Sequence, residues 1–288
     1  LKFQKMKKRI LIPTDFSRNA WNAIKYAMEL YKREYVEFFI LHTYYLSGYS
    51  KENLLSPEPT EKDLKKVQEA SEKDMEKLKV QMGFYEENDN HTFQYMSEFG
   101  SFFDVMKKTV EKQDIELVVM GTQGETDNKT VILGSNAVNA MEKIRNCPVL
   151  AIPSNVLFKD PNEIVFPTSF RTHYKEKELA TLVEISRCTN SPIRILHIQK
   201  GKNLSKSQLE NKALLEKILE AANYTHHTLY DIEINDGVRC FVQSRQSEMI
   251  AIVNKKHNFF GSVFSNPMVK ELGKHSNVPL LAMHDLRN

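Results

Sequence analysis

RILIPTDFS, residues Arg9–Ser17, and EIVFPTSFR, residues Glu163–Arg171, share one pattern: a short apolar run closed by Pro-Thr-x-Phe. Working outward, FFILHTY (Phe38–Tyr44) is answered by IRILHIQ (Ile193–Gln199). CPVLAIP (Cys147–Pro153) is answered by VPLLAMH (Val278–His284). Three landmarks in the same order make an internal repeat of about 150 residues, far longer than a solenoid unit and long enough for a domain. The expected domains are 6–155 and 160–288. The junction is expected within SNVLFKDPN, Ser154–Asn162, which is polar and carries a proline.

Each copy alternates apolar runs with helical patterns. RILI reads as a strand of buried type, and the helix after it has Ala20, Ile24, Ala27, Met28 and Tyr31 at helical spacing with Ser17 as N-cap. EFFILHTY is a second strand. A long charged helix follows, opened by a Thr60–Asp63 cap and ended at Gly83, with Leu64, Val67, Leu78 and Met82 expected to face inward. TFQYMSEF is a third strand, Ser101 caps the next helix, and IELVVM is a fourth strand. SNAVNAMEKIRN is a helix and PVLAIP a fifth strand. Strands of unbroken apolar residues between helices predict an α/β protein: two tandem Rossmann-like domains, each a parallel sheet with helices on both faces.

The bulk composition narrows the function classes. The chain has 288 residues, 41% hydrophobic and 27% charged, with a net charge of +3. So mild a charge gives little counterion release and argues against nucleic acid as a partner. No apolar run approaches the length of a membrane helix, and no signal peptide is visible. The three cysteines, Cys147, Cys188 and Cys240, are far apart and odd in number, which fits a reducing cytoplasm. Met6 is expected to be the natural first residue. No HExxH or CxxC spacing suggests a metal, and no GxSxG elbow suggests a hydrolase. The adjacent His226 and His227 would face opposite sides of a strand. His42 and His197 recur in the repeat and read as strand-end residues held by hydrogen bonds or packing.

Chemistry concentrates after the fourth strand, in MGTQGETDNKTVILGSNAV, Met120–Val138. Gly121 and Gly124 are followed, after nine intervening residues, by Gly134 and Ser135, just where a helix begins. Glycines permit positive φ and close backbone approach to an anion, and the N-terminus of the next helix offers free N–H groups and a positive dipole end. In an open α/β sheet, this loop meets Pro13-Thr14-Asp15 at the carboxyl ends of the strands. Asp15 would repel bare phosphate; it suits a ribose or base donor, or a magnesium ion bridging to phosphate. The spacing is neither GxxxxGK[ST] nor GxGxxG.

Gly-x2-Gly-x9-Gly-Ser after a strand ending in Met-Gly resembles the nucleotide loop of the universal stress protein family. KRILIPTDFS, ILHT and PVLAIP sit where that family has its first, second and fifth strands. The resemblance covers both halves and implies a tandem member. It implies five-stranded sheets of order 3-2-1-4-5 and, for members that keep the loop, a site for ATP or a related nucleotide such as ADP or AMP. Carried over by position, Pro13 and Asp15 would meet the nucleoside and the backbone of Thr43 the adenine. Met120 and Gly121 would line the ribose; Gly124, Gly134, Ser135, Asn136 and Ala137 would hold phosphate. Two positions depart from the family's habit: Ala137 where relatives often have a hydroxyl, and Gln123 where they have histidine. One lost hydroxyl donor costs about 1 kcal/mol.

The second copy lacks the pattern. Aligned on EMIAIVN and on Pro279, Gly121 corresponds to Asn254, Gly124 to His257, Gly134 to Ser265, Ser135 to Asn266 and Asp15 to Ser169. Phe259 and Phe260 fill the shorter loop, where only Gly261 and Ser262 remain to meet a small anion. One nucleotide site per chain is therefore expected, in the first domain. The functional reading is a nucleotide-responsive stress or signalling module with a protein partner that the sequence does not name. The alternatives are a slow ATPase or phosphotransferase, for which the loop offers only Glu125, Asp127 and Lys129, and a nucleotide-independent scaffold. The last strands of the two copies are expected to pair with each other as an intramolecular pseudo-dimer, covering edges otherwise exposed; a homodimer of chains is left open.

Overall fold

A computed structural model of the chain describes residues 7–46, 60–85, 87–122, 134–199, 201, 203–254 and 278–284. In the first half, β1 (Lys8–Pro13), α1 (Arg18–Leu30), β2 (Val36–Tyr44), α2 (Glu61–Met82), β3 (His91–Phe99), α3 (Phe102–Lys112), β4 (Leu117–Gly121), α4 (Ser135–Lys143) and β5 (Val149–Ile152) follow in order. In the second, β6 (Ile164–Pro167), α5 (Glu176–Thr189), β7 (Ile193–Gln199), α6 (Lys206–Ile218), β8 (Tyr224–Tyr230), α7 (Ile234–Arg245), β9 (Met249–Asn254) and β10 (Leu280–His284) follow.

The strands form one ten-stranded sheet of order β3-β2-β1-β4-β5-β10-β9-β6-β7-β8. Each half is therefore a 3-2-1-4-5 sheet, and all neighbours within a half are parallel. The halves join where β5 and β10 pair antiparallel, Leu281 opposite Leu150. The two last strands thus cover each other's edges.

Burial on both faces explains the unbroken apolar runs. Ile10, Leu11 and Ile12 are all 0% exposed, yet they serve two cores. Ile10 and Ile12 join Phe38, Ile40, Leu117 and Val119 under α1 and α2; Leu11 joins Phe39, Leu41, Val118 and Met120 under α3 and α4. Successive strand residues point to opposite faces, so a sheet covered twice needs an apolar residue at every position. No helix among the described residues is long and apolar enough to cross a membrane.

Local signals act largely as read. The Ser17 hydroxyl accepts from the Ala20 N–H at 3.1 Å. Thr60 and Asp63 form a reciprocal capping box. Gly83 ends α2 in right-handed conformation (φ −65°), so its missing Cβ is not used for a left-handed cap. Ser101 stands at the N-cap of α3 without a side-chain capping bond. The inward face of α2 is Ser71, Met75, Leu78 and Met82, while Leu64 is exposed and Val67 half-buried. Ser71 shares a hydrogen bond with Ser97 of β3. Beyond that point β3 runs two more residues, about 7 Å, but α2 continues for ten, about 15 Å. The first turns of α2 overshoot the carboxyl edge of the sheet, leaving Leu64 nothing in the core to cover it.

Segment 153–163 carries no strand or helix but is tied down on both sides. The Val156 carbonyl accepts from the Asn22 side chain at 2.6 Å, and the Asn162 N–H donates to Glu248 at 2.6 Å.

Candidate functional site

The recurrent Pro-Thr-x-Phe builds the same corner twice. The Thr14 N–H donates to the Leu41 carbonyl at 2.8 Å, ending β1 against β2. The Thr14 hydroxyl oxygen accepts from the Phe16 N–H at 3.0 Å, and His42 Nδ1 donates to the Thr14 carbonyl at 2.8 Å. Phe16 takes φ 64°, a left-handed conformation that a bulky residue adopts only when its surroundings hold it there. Its ring packs on His42 with centroids 4.4 Å apart. In the second half Thr168, Phe170 and His197 repeat every part: 2.8 Å to the Leu196 carbonyl, 3.0 Å from the Phe170 N–H, 2.8 Å from His197, and φ 56° at Phe170. The two histidines are orienting residues of a strand-end turn.

In the first half this corner presents Asp15, exposed, with one carboxylate oxygen accepting from the Ser17 N–H at 3.0 Å. Thr43 lies one step beyond the reach of β1. The Leu41 carbonyl faces β1 and the Tyr44 carbonyl faces β3, where it accepts from the Gly100 N–H at 3.0 Å. Strand alternation then turns the backbone groups of Thr43 toward the space past Pro13.

Across the switch point, where β1 has β2 on one side and β4 on the other, β4 ends at Met120 and Gly121. Gly121 is outside the positive-φ region; a Cβ there would lie 2.6 Å from the Asn19 side-chain nitrogen and 3.1 Å from the Asn19 carbonyl oxygen. Its glycine is required for close approach of α1, not for a left-handed turn. Asn19, 7% exposed, is a site-shaping residue that sequence reading passed over; the only signal was a polar residue in the first turn of an amphipathic helix. Gly121→Ala is expected to cost about 1–3 kcal/mol by forcing α1 outward. Thermal unfolding checks this, and an unchanged melting temperature would refute the steric account.

Gly134 is the N-cap of α4, with φ −67° and ψ 159°, again a conformation open to any residue. Its N–H donates to the Thr122 carbonyl at 2.5 Å, which returns the N-terminus of α4 to the end of β4. A glycine N-cap brings no side chain to occupy the first-turn N–H groups. Ser135 and Asn136 are exposed on that turn. Ala137 is 1% exposed and belongs to the core beneath α4, so a hydroxyl there would be buried rather than presented to solvent; only its backbone N–H belongs to the first turn. Gly124, with Gln123, Glu125, Asp127 and Lys129, lies outside the described residues. Among the described residues no cluster of three or more His, Cys, Asp or Glu could hold a metal.

The corresponding corner of the second half is braced by α6. Gln208 and Asn211 of α6 donate to the carbonyls of Ser169 and Phe170 at 2.8 and 2.9 Å, fastening α6 over the turn. Asn254 ends β9, but the register moves the expected correspondence by one residue: Val118 lies between Leu11 and Val149 as Ile250 lies between Val165 and Leu280, so Gly121 answers to Val253 and Thr122 to Asn254. His257, Phe259, Phe260, Gly261, Ser262, Ser265 and Asn266 lie outside the described residues. His226 and His227 do face opposite ways on β8, one bonded to Glu216 of α6 at 2.7 Å and the other to Thr225 at 2.9 Å.

Comparison with known proteins follows the same division. The model of the universal stress protein family matches residues 6–153, more than half of the 288 and all of β1–β5. A universal stress protein of Methanocaldococcus jannaschii is 28% identical over 159 residues, covering 51% of this chain and 95% of that protein. Among solved structures, a universal stress protein from Archaeoglobus fulgidus is similar with a TM-score of 0.68 at 13% identity, covering 97% of this chain and 98% of its own. A universal stress protein homologue from Pseudomonas aeruginosa, described as putative, gives 0.60 at 8% identity, with 97% and 94% covered. At those identities the structural likeness concerns the fold, and it runs through both halves. With the family's pattern matched across the first half and its fold across the whole, the chain belongs to the universal stress protein family.

Proposed function

We propose that the protein binds ATP or a related adenine nucleotide in its first half, and that occupancy biases its interaction with a protein partner in a cytoplasmic stress or signalling response. In this reading the chain has two domains, 6–155 and 160–288, and only the first carries a nucleotide site. The observation that carries it is the return of α4 to the end of β4 by the Gly134–Thr122 hydrogen bond, with a helix N-terminus left without a side-chain cap at the switch point of the sheet. The phosphates would take the N–H groups of Ser135, Asn136 and Ala137 with the Ser135 hydroxyl, and Gly124 would let the loop backbone approach them. Met120 and Gly121 would flank the ribose, and the backbone of Thr43 would meet the adenine edge beside Pro13. Asp15 would accept from the ribose or hold a magnesium ion that bridges to phosphate.

The test is mass spectrometry of small molecules released on denaturation, with calorimetric titration of the purified chain by ATP and Mg²⁺. One nucleotide per chain is expected, with binding abolished in Gly124→Val, since a β-branched side chain would block the loop's approach to the anion. Absence of a released nucleotide together with no binding heat at millimolar ATP would overturn the reading. Two nucleotides per chain would show that the second half retains a site.

A further inference from the structure

Helix α4 is tied at one end to the first half and at the other to the second. At its start, Gly134 as N-cap brings no side chain to the first turn. At its end, the last four carbonyls lack intrahelical partners by geometry. The Ala140 carbonyl accepts from the Ile144 N–H at 3.0 Å. The Met141 carbonyl accepts from the side-chain amide of Asn254 at 3.1 Å, across 113 residues of sequence. Asn254 is the last residue of β9, half-buried, in register with His284 of β10. Strand for strand it occupies the position of Thr122, whose carbonyl receives the Gly134 N–H at the other end of α4. The Asn254 side chain reaches across the seam to α4.

We infer that Asn254 is a positioning residue: the second half, lacking the glycine loop, supplies the C-terminal cap of the helix whose N-terminus receives the phosphates, and so tunes the nucleotide affinity of the first half. The inference rests on the nucleotide reading above. Ala137, Val138, Ala140 and Met141 bury one face of α4 against the sheet, but apolar burial is non-directional and resists sliding along the helix axis weakly. The hydrogen bonds at the two ends, Gly134 to Thr122 and Asn254 to Met141, are directional and set the axial position. A helix of nine residues is about 13 Å long and moves as a unit, so a change at Met141 is delivered to Ser135. Linkage makes the effect reciprocal: a nucleotide that steadies the first turn also steadies Asn254 and the end of β9.

The experiment uses the full chain, with ATP and Mg²⁺ as probe, and compares Asn254→Asp with Asn254→Gln by calorimetry, thermal unfolding and hydrogen exchange. Asn254→Asp keeps the shape, removes the donor and sets a carboxylate against a carbonyl. Asn254→Gln keeps the amide. ATP binding is expected to weaken roughly three- to tenfold in Asn254→Asp, the range for loss of one such hydrogen bond, and to return to within about twofold of the unaltered chain in Asn254→Gln. The loss should not follow the melting temperature across the two variants, and ATP should slow exchange over residues 249–254 in the unaltered chain but not in Asn254→Asp. If Asn254→Asp binds ATP as the unaltered chain does, or if affinity merely follows thermal stability in both variants, the inference falls and the nucleotide site stands. If the unaltered chain binds no ATP, both fall together.

Discussion

Leu281→Ala is expected to lower the stability of the whole chain by about 3–4 kcal/mol, a large share of the total for a folded protein. Leu281 is 0% exposed on β10, directly opposite Leu150 of β5, also 0% exposed, and both belong to the core that runs beneath α1 and α5. The substitution empties a volume that strands hydrogen-bonded on both sides cannot collapse to fill. The reporter is already present: Trp21, the single tryptophan, sits on α1 in the first half, packed edge-on to Tyr85 at 6.2 Å. Urea unfolding followed by Trp21 fluorescence should give one transition displaced to lower urea, although the mutation lies in the second half. The double variant Leu150→Ala with Leu281→Ala should lose less than the sum of the two, by about 1 kcal/mol, because the two side chains share one cavity. A Trp21 transition that stays in place would mean that the halves unfold independently and that the seam does not stabilise the first.

Glu163→Ala is the second, with an expected cost of about 3 kcal/mol. Glu163 immediately precedes β6 and is 4% exposed. Its carboxylate accepts from Arg194 of β7 at 2.7 Å, from two nitrogens of Arg245 on α7 at 2.8 and 2.7 Å, and from the Ser247 hydroxyl at 2.6 Å. One side chain thus ties β6 to β7 and to the corner between α7 and β9. Removing it leaves two arginines beside each other without their counter-charge; because the Arg245 side chain is 36% exposed and can turn to water, the cost belongs near the lower end for a broken buried ion pair. Burial by itself would raise the Glu163 carboxyl, but hydrogen bonds from Arg245, Ser247 and Arg194 outweigh it and hold the group at about 2, against an ordinary 4.5. A carboxyl lowered in the folded state contributes stability that is fully present above its unfolded pKa and is lost as pH falls from about 4.5 to about 2. Glu163→Gln should therefore flatten the acid limb of the stability curve over that interval and lower the plateau near neutrality. Parallel curves for the two proteins below pH 4.5 would contradict the assignment.

The regular skeleton was legible because each signal is local. Unbroken apolar runs such as RILI state burial on both faces, and Ser17 and the Thr60–Asp63 box state where helices begin. The recurrence of Pro-Thr-x-Phe announced a duplicated structure before any contact was known. Its physical content, a threonine that bonds its own turn and a phenylalanine held at positive φ against a histidine, is visible only in three dimensions. Leu64 shows the limit of periodicity: spacing says which helix face is apolar, but not that α2 outruns the sheet it covers. The glycines show another. Glycine permits several things, and sequence could not tell positive φ from close approach; at Gly121 the tertiary neighbour, Asn19, decides for close approach.

By itself, then, the sequence determined what depends on neighbours along the chain: the strand and helix pattern of the first half, the Ser17 and Thr60–Asp63 caps, and the duplication; through a family resemblance it named Pro13, Asp15, Thr43, Met120, Gly121, Gly124, Gly134, Ser135, Asn136 and Ala137 as site candidates. The tertiary structure decided what depends on residues brought together across the chain: the antiparallel meeting of β5 and β10, the Glu163 tie, the clamp of Gln208 and Asn211 over the second corner, and the reach of Asn254 to the Met141 carbonyl. Read in sequence, Asn254 is paired with Gly121; the strand register gives that place to Val253. Only the fold sets α4 beside Asn254, because a hydrogen bond requires a distance, and distance between residues 113 apart is a property of the folded chain.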